Sequence, residues 1–150
     1  MGRLTLNEQV AAPPDVVFAV ASDLPRAAEH ISGIERIEML TPGPVGVGTR
    51  WKETRTMFGR SATEELEVAA FDPPHGYTIA SESCGAAFEC RFSFQPSDGG
   101  TLVTLDLEYR PVSMFAKLMS PLSGMMIGSA EKAMRQDLAD LKQAAESRAG

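Results

Sequence analysis

The sequence predicts an α+β fold in which a curved, seven-stranded antiparallel sheet wraps around one long C-terminal helix. Three observations predict it. Over residues 120–145, Leu122, Met126, Ala130, Met134 (or Ala133), Leu138, Leu141 and Ala145 recur at steps of three and four, while Glu131, Lys132, Arg135, Asp140 and Lys142 fall largely on the other side. Upstream of that stretch the chain is mostly strand-like, with its clearest alternation at Phe88, Cys90, Phe92 and Phe94. The strand-like runs are joined by short turns, and such neighbours must pair antiparallel because a parallel partner needs a crossover of about a dozen residues or more. An amphipathic helix of this length needs a surface to lie on, and a curved sheet beneath it leaves a cavity between the two.

Taken in order, residues 3–11 alternate weakly through Leu4, Leu6 and Val10 and form a first strand. Pro13-Pro14-Asp15 opens a helix, with proline where a missing N–H costs nothing and a carboxylate near the positive end of the dipole; Val16, Val17, Phe18 and Val20 supply its buried side. Pro25 starts a second short helix that Gly33 closes. Residues 34–40 make the second strand, and the prolines and glycines of 41–48 force a tight connection. A hairpin follows over 49–58 and 61–71, joined at Gly59-Arg60, and 72–76 breaks the chain again. Residues 77–84 form the fifth strand and the run through Phe94 the sixth. After the turn Pro96-Ser97-Asp98-Gly99-Gly100 comes the last strand, where Val103, Leu105, Leu107 and Tyr109 alternate with polar neighbours until Pro111. Ser120 then caps the long helix and Pro121 occupies its first position.

Composition narrows the function. A chain of 150 residues, 43% hydrophobic and 23% charged, suits a single folded domain. A net charge of -6 and a pI near 4.9 disfavour nucleic acid and anionic membrane surfaces as partners. The first residues carry no secretory h-region, no stretch is long and apolar enough to span a bilayer, and a cytoplasmic protein is expected. The two cysteines, Cys84 and Cys90, lack the neighbours of a zinc site and read as free thiols; no metal or cofactor is expected.

Candidate site residues come from the strands. Trp51, Glu53, Arg55 and Met57 share one face, and Trp51 with Met57 argues that this face looks inward. Glu53 and Arg55 are then groups of an apolar pocket, able to fix a polar head or move a proton; the alternative places them on an outer rim or pairs them across strands. Cys84 and Cys90 face one another if Ala87 centres their turn, a register that turns Glu82 inward; a slip of one residue buries Ile79 instead. Of the two histidines, His75 sits in a Pro/Gly turn, whereas His30 closes the second helix near one mouth of the expected cavity. Met114, Met119, Met125, Met126 and Met134 crowd the chain's end, either as core or as an adaptable wall with residues 112–119 as its lid.

The order Val10-Ala-Ala-Pro13 running into Val16 and Phe18, Asp23-Leu24-Pro25, Gly46-Val-Gly-Thr49, Asp72-Pro73-Pro74, Gly99-Gly-Thr-Leu-Val-Thr104 and Leu138-Ala-Asp-Leu-Lys142 resembles the START/Bet v 1-like (SRPBCC) superfamily, including its bacterial polyketide cyclase/dehydrase-like proteins. The resemblance covers nearly the whole chain and implies the helix-grip fold with a deep apolar pocket for a lipid, sterol or polyketide. On this basis the ligand-binding residues are expected to be Trp51, Glu53, Arg55, Met57, Phe88, Cys90, Phe92, Tyr109, Leu122 and Met126, with Glu53, Arg55 and His30 as the catalytic candidates if the protein is an enzyme of the cyclase/dehydrase type. A third reading, a module that docks other proteins, predicts an exposed apolar patch in place of an enclosed cavity. The expected partner is a hydrophobic small molecule, with the protein a monomer or homodimer.

Overall fold

The computed structural model describes residues 2–57, 59–83, 86–111 and 123–149, the side chains of 57, 60, 83, 111 and 123–129 excepted. The elements are β1 (Gly2–Val10), α1 (Pro14–Ser22), a 3-10 turn (Leu24–Arg26), α2 (Ala27–His30), β2 (Ile34–Met39), β3 (Arg50–Met57), β4 (Arg60–Asp72), β5 (Gly76–Ser83), β6 (Ala86–Ser97), β7 (Gly100–Pro111) and α3 (Ser123–Ala149). The strands form one antiparallel sheet in the order β1-β7-β6-β5-β4-β3-β2. The expected caps Ser120 and Pro121, the 112–119 segment with Met114 and Met119, Leu122 and Cys84 lie outside the described residues, as do the side chains of Met57, Met125 and Met126.

Local chemistry explains most boundaries. Pro14 opens α1 with Asp15 in its first turn, and Val17, Phe18 and Val20 are buried. Phe18 meets Phe71, Tyr77 and Phe94 at ring-centroid distances of 5.4, 5.8 and 5.5 Å, which fixes α1 on the sheet. Between β6 and β7, Asp98 and Gly99 both take positive φ, 50° and 79°, the twist that a two-residue hairpin requires. Bulges interrupt β2 at Glu35 and β4 at Ala69. Each inserts one residue and so shifts the inward phase, from Val68 to Phe71 along β4 and from Ile34 to Ile37 along β2.

The inner face of the sheet and the stripe Leu138, Leu141 and Ala145 of α3 enclose the main core with Leu6, Val10, Val17, Phe94, Val103 and Leu105. A second cluster gathers Leu24, Trp51 and Val68. Polar ties hold α3 in register: Asp140 accepts from the Ser32 backbone N–H and hydroxyl at 2.9 and 2.8 Å, and Glu146 accepts from the Ala11 N–H at 2.9 Å. The helix runs to Ala149, four residues beyond the apolar stripe, carried past it by solvated residues of good helix propensity. No described helix is long and apolar enough to cross a membrane.

Candidate functional site

The alternation of β3 decides where its charges go. Trp51 is fully buried, and period two places Glu53 and Arg55 on the same inner face, opposite Met39, Ile37 and Ile34 of β2 respectively. The side chains of Arg55 and Glu53 keep 25% and 14% of their surface exposed, so both are largely withdrawn from water. They pair along the strand, Arg55 Nε donating to Glu53 Oε2 at 2.6 Å. The guanidinium then reaches across the interior and donates to both oxygens of Asp137 on α3, at 3.2 and 2.7 Å. Gly33 leaves room for this fork, since a β-carbon there would stand 3.2 Å from Arg55 Nη1.

These groups border a partly open cavity of about 90 Å³ between α2, β3 and α3. Leu24, Ile31, Ile79, Phe92, Leu138 and Leu141 form its apolar wall. Its polar lining is His30, Glu53, Arg55 and Asp137, with Trp51 and Tyr77. The Tyr77 hydroxyl is occupied, donating to the Ala21 carbonyl at 3.2 Å. His30 Nε2 is buried without a hydrogen-bond partner, and Trp51 Nε1 makes only a long 3.5 Å contact to Glu53 Oε1.

Electrostatics separates the members of the cluster. Burial works against the charge of Arg55, but the hydrogen bond and charge of Asp137 outweigh it and hold the guanidinium protonated throughout. Burial pushes the Asp137 carboxyl above the ordinary carboxylate value, the Arg55 fork opposing it and the nearby charge of Glu53 adding to it. Burial also raises the Tyr77 phenol. The Cys90 thiol is pushed up to about 12, by burial first and the charge of Asp137 second.

The structure brings Trp51, Glu53, Arg55, Phe92 and His30 around one cavity. It places Phe88 and Tyr109 elsewhere on the inner face, stacked on each other at 6.2 Å, and sets Cys90 between Ile79 and Leu107 in the core. Across the hairpin Cys90 pairs with Ile79. Ser83 pairs with Ala86, so the hairpin is not centred on Ala87, and the register half-buries Ile79 and exposes Glu82. His75 is 74% exposed beside Asp72. A larger cleft of about 660 Å³ is lined by Arg50, Glu67, Glu89 and Glu108, a cross-strand row on the face opposite Trp51, and also by the inner-face residues Leu66, Ser81, Phe88 and Tyr109. Among the described residues no group of three histidine, cysteine or acidic side chains is placed to hold a metal ion.

Asp137 is the member that sequence reasoning missed. It stands three residues after Met134 and four before Leu141, so an acid interrupts the apolar stripe of α3. That interruption is the signal that points to it.

A family profile described as "Polyketide cyclase / dehydrase and lipid transport" matches residues 1–146. No curated protein matches the sequence. Solved structures share the architecture. The Zhui aromatase/cyclase from Streptomyces sp. R1128 is 18% identical with a TM-score of 0.82, over 98% of this chain and 94% of that one. A protein of Thermus thermophilus is 18% identical with a TM-score of 0.82, over 99% and 100%. The major latex-like protein 151 of Panax ginseng is 12% identical with a TM-score of 0.77, over 96% and 97%. At these identities the likeness is one of fold.

Proposed function

Because the chain belongs to the polyketide cyclase/dehydrase and lipid transport family, we propose that it binds a hydrophobic small molecule of lipid, polyketide or sterol type between the sheet and α3. The observation that carries this reading is the space under α3, where among the described residues apolar walls surround one polar cluster. Sites that hold an apolar body and orient it by one end have this composition. The space of about 90 Å³ takes the polar end alone, since whole ligands of this kind need several hundred Å³. The apolar body lies along the rest of the inner face, where Leu66, Phe88 and Tyr109 are only half-buried and Ser81 Oγ is buried without a partner.

Trp51, Glu53, Arg55 and Phe92 are the ligand contacts at the polar end in this reading, and Phe88 and Tyr109 those along the body. Native mass spectrometry of freshly purified protein tests it. A retained small molecule, lost together with thermal stability on extraction, supports binding; a bare protein that no hydrophobic compound stabilises contradicts it.

A second reading is favoured by one observation. Glu53, Arg55 and Asp137 form a hydrogen-bonded acid–base cluster beside His30, whose buried Nε2 has no hydrogen-bond partner. This arrangement suits an enzyme of the cyclase/dehydrase type that orients a carbonyl substrate and moves a proton. Turnover that Glu53→Gln abolishes while substrate still binds supports the enzyme; binding without turnover supports the carrier.

A further inference from the structure

The polar cluster carries unequal charge. Glu53 and Asp137 bring two carboxylates against the single guanidinium of Arg55, and among the described residues His30 is the only other basic group in the cavity lining. Both Asp137 oxygens accept from Arg55, the arrangement of an ionised carboxylate, and Glu53 Oε2 takes the Arg55 Nε–H. Three of the five Arg55 N–H groups are thereby committed to its two partners. Among the acceptors of the lining, Glu53 Oε1 has only the 3.5 Å contact from Trp51, and His30 Nε2 is buried without a partner.

An anionic head entering this space becomes a third negative charge beside two largely withdrawn carboxylates, while a head that donates hydrogen bonds meets the unfilled acceptor of Glu53. We propose that the polar end of the cavity recognises a donor head, an ammonium or a hydroxyl on an apolar body, and rejects carboxylate and phosphate heads. This rests on the ligand-binding reading above and adds the chemical class of the ligand to it. The size of the cavity agrees, since about 90 Å³ accommodates a head of a few heavy atoms.

The test uses three ligands with one apolar body: octylamine, octan-1-ol and octanoate. Trp51 is the only tryptophan of the chain, is fully buried and borders the cavity, so its fluorescence reports occupancy. Octylamine and octan-1-ol are expected to titrate saturably at neutral pH, and octanoate to bind at least about tenfold more weakly. In Glu53→Gln, and independently in Asp137→Asn, one negative charge is gone; octylamine then weakens and octanoate strengthens, each by about tenfold, while octan-1-ol changes little. A purely structural role of these acids moves all three ligands together. Octanoate binding as well as octylamine, or variants that shift the three alike, overturns the head-group assignment and leaves the binding function standing. A response to none of the three, in fluorescence or in melting temperature, sinks both.

Discussion

Arg55 on β3 and Asp137 on α3, 82 residues apart in the chain, meet in a two-pronged salt bridge of 3.2 and 2.7 Å across the interior. The bridge ties the inner face of the sheet to the apolar stripe of the helix. With 25% and 19% of their side-chain surfaces exposed, the partners are neither a surface pair, worth little, nor a fully dry one.

Removing either partner leaves a charge in a poorly solvated place, but not equally. Arg55→Met leaves Glu53 and Asp137 without a cation between them and is expected to cost about 3 kcal/mol. Asp137→Ala leaves Arg55 still paired with Glu53 and is expected to cost about half as much. Urea unfolding of the two variants checks the order; equal losses contradict the shared role of Arg55.

Trp51 anchors the second core cluster with Leu24 and Val68 and has no exposed surface. Trp51→Ala is expected to destabilise the fold by about 3–5 kcal/mol, which at this chain length lowers the melting temperature by about 10 °C. Calorimetry reads this directly.

Two acids on one helix predict opposite pH dependences. For Asp140, burial raises the carboxyl pKa, but the donors of Ser32 and Gln136 outweigh it and hold it below the ordinary value. Its folded pKa being depressed, its stabilisation is present above about pH 4 and lost as pH falls through the folded value. The stability deficit of Asp140→Asn is therefore expected to shrink on acidification from pH 6 to pH 3. Asp137, raised by burial, runs the other way: stability falls as pH rises above the ordinary carboxylate value through the folded one. Melting curves across that range in wild type and the two Asn variants check both signs.

Cys90, its pKa pushed up to about 12, holds almost no thiolate at pH 8. In a Cys84→Ser background the folded protein is expected to resist alkylation at Cys90 at least about a hundredfold more than the unfolded chain. Equal rates contradict the buried placement of the thiol.

The strands were legible where alternation is unbroken. Phe88 to Phe94 and Trp51 to Arg55 face the side that their spacing predicts, because one buried face enforces one register. The phase shifts at Glu35 and Ala69 were not, since a bulge needs no distinctive residue and leaves only an extra position between inward side chains. The register between β5 and β6 stayed open in the sequence, with Ala87 as one possible centre, because the small residues nearby fit more than one pairing; Ser83 opposite Ala86 decides it. In the cavity, the β3 residues could be read from local period. Asp137 belongs to the cluster through a contact between elements distant in sequence, and only its intrusion into the α3 stripe announces it.

The central claim, that the space under α3 receives the end of a hydrophobic ligand, is tested most directly by following the single indole N–H of Trp51 in a ¹⁵N-labelled sample titrated with octylamine. A saturable shift of that one resonance, matched by the affinity measured in the same sample, is the predicted result. An unmoved indole resonance while octylamine binds elsewhere on the protein, or binds nowhere, contradicts it.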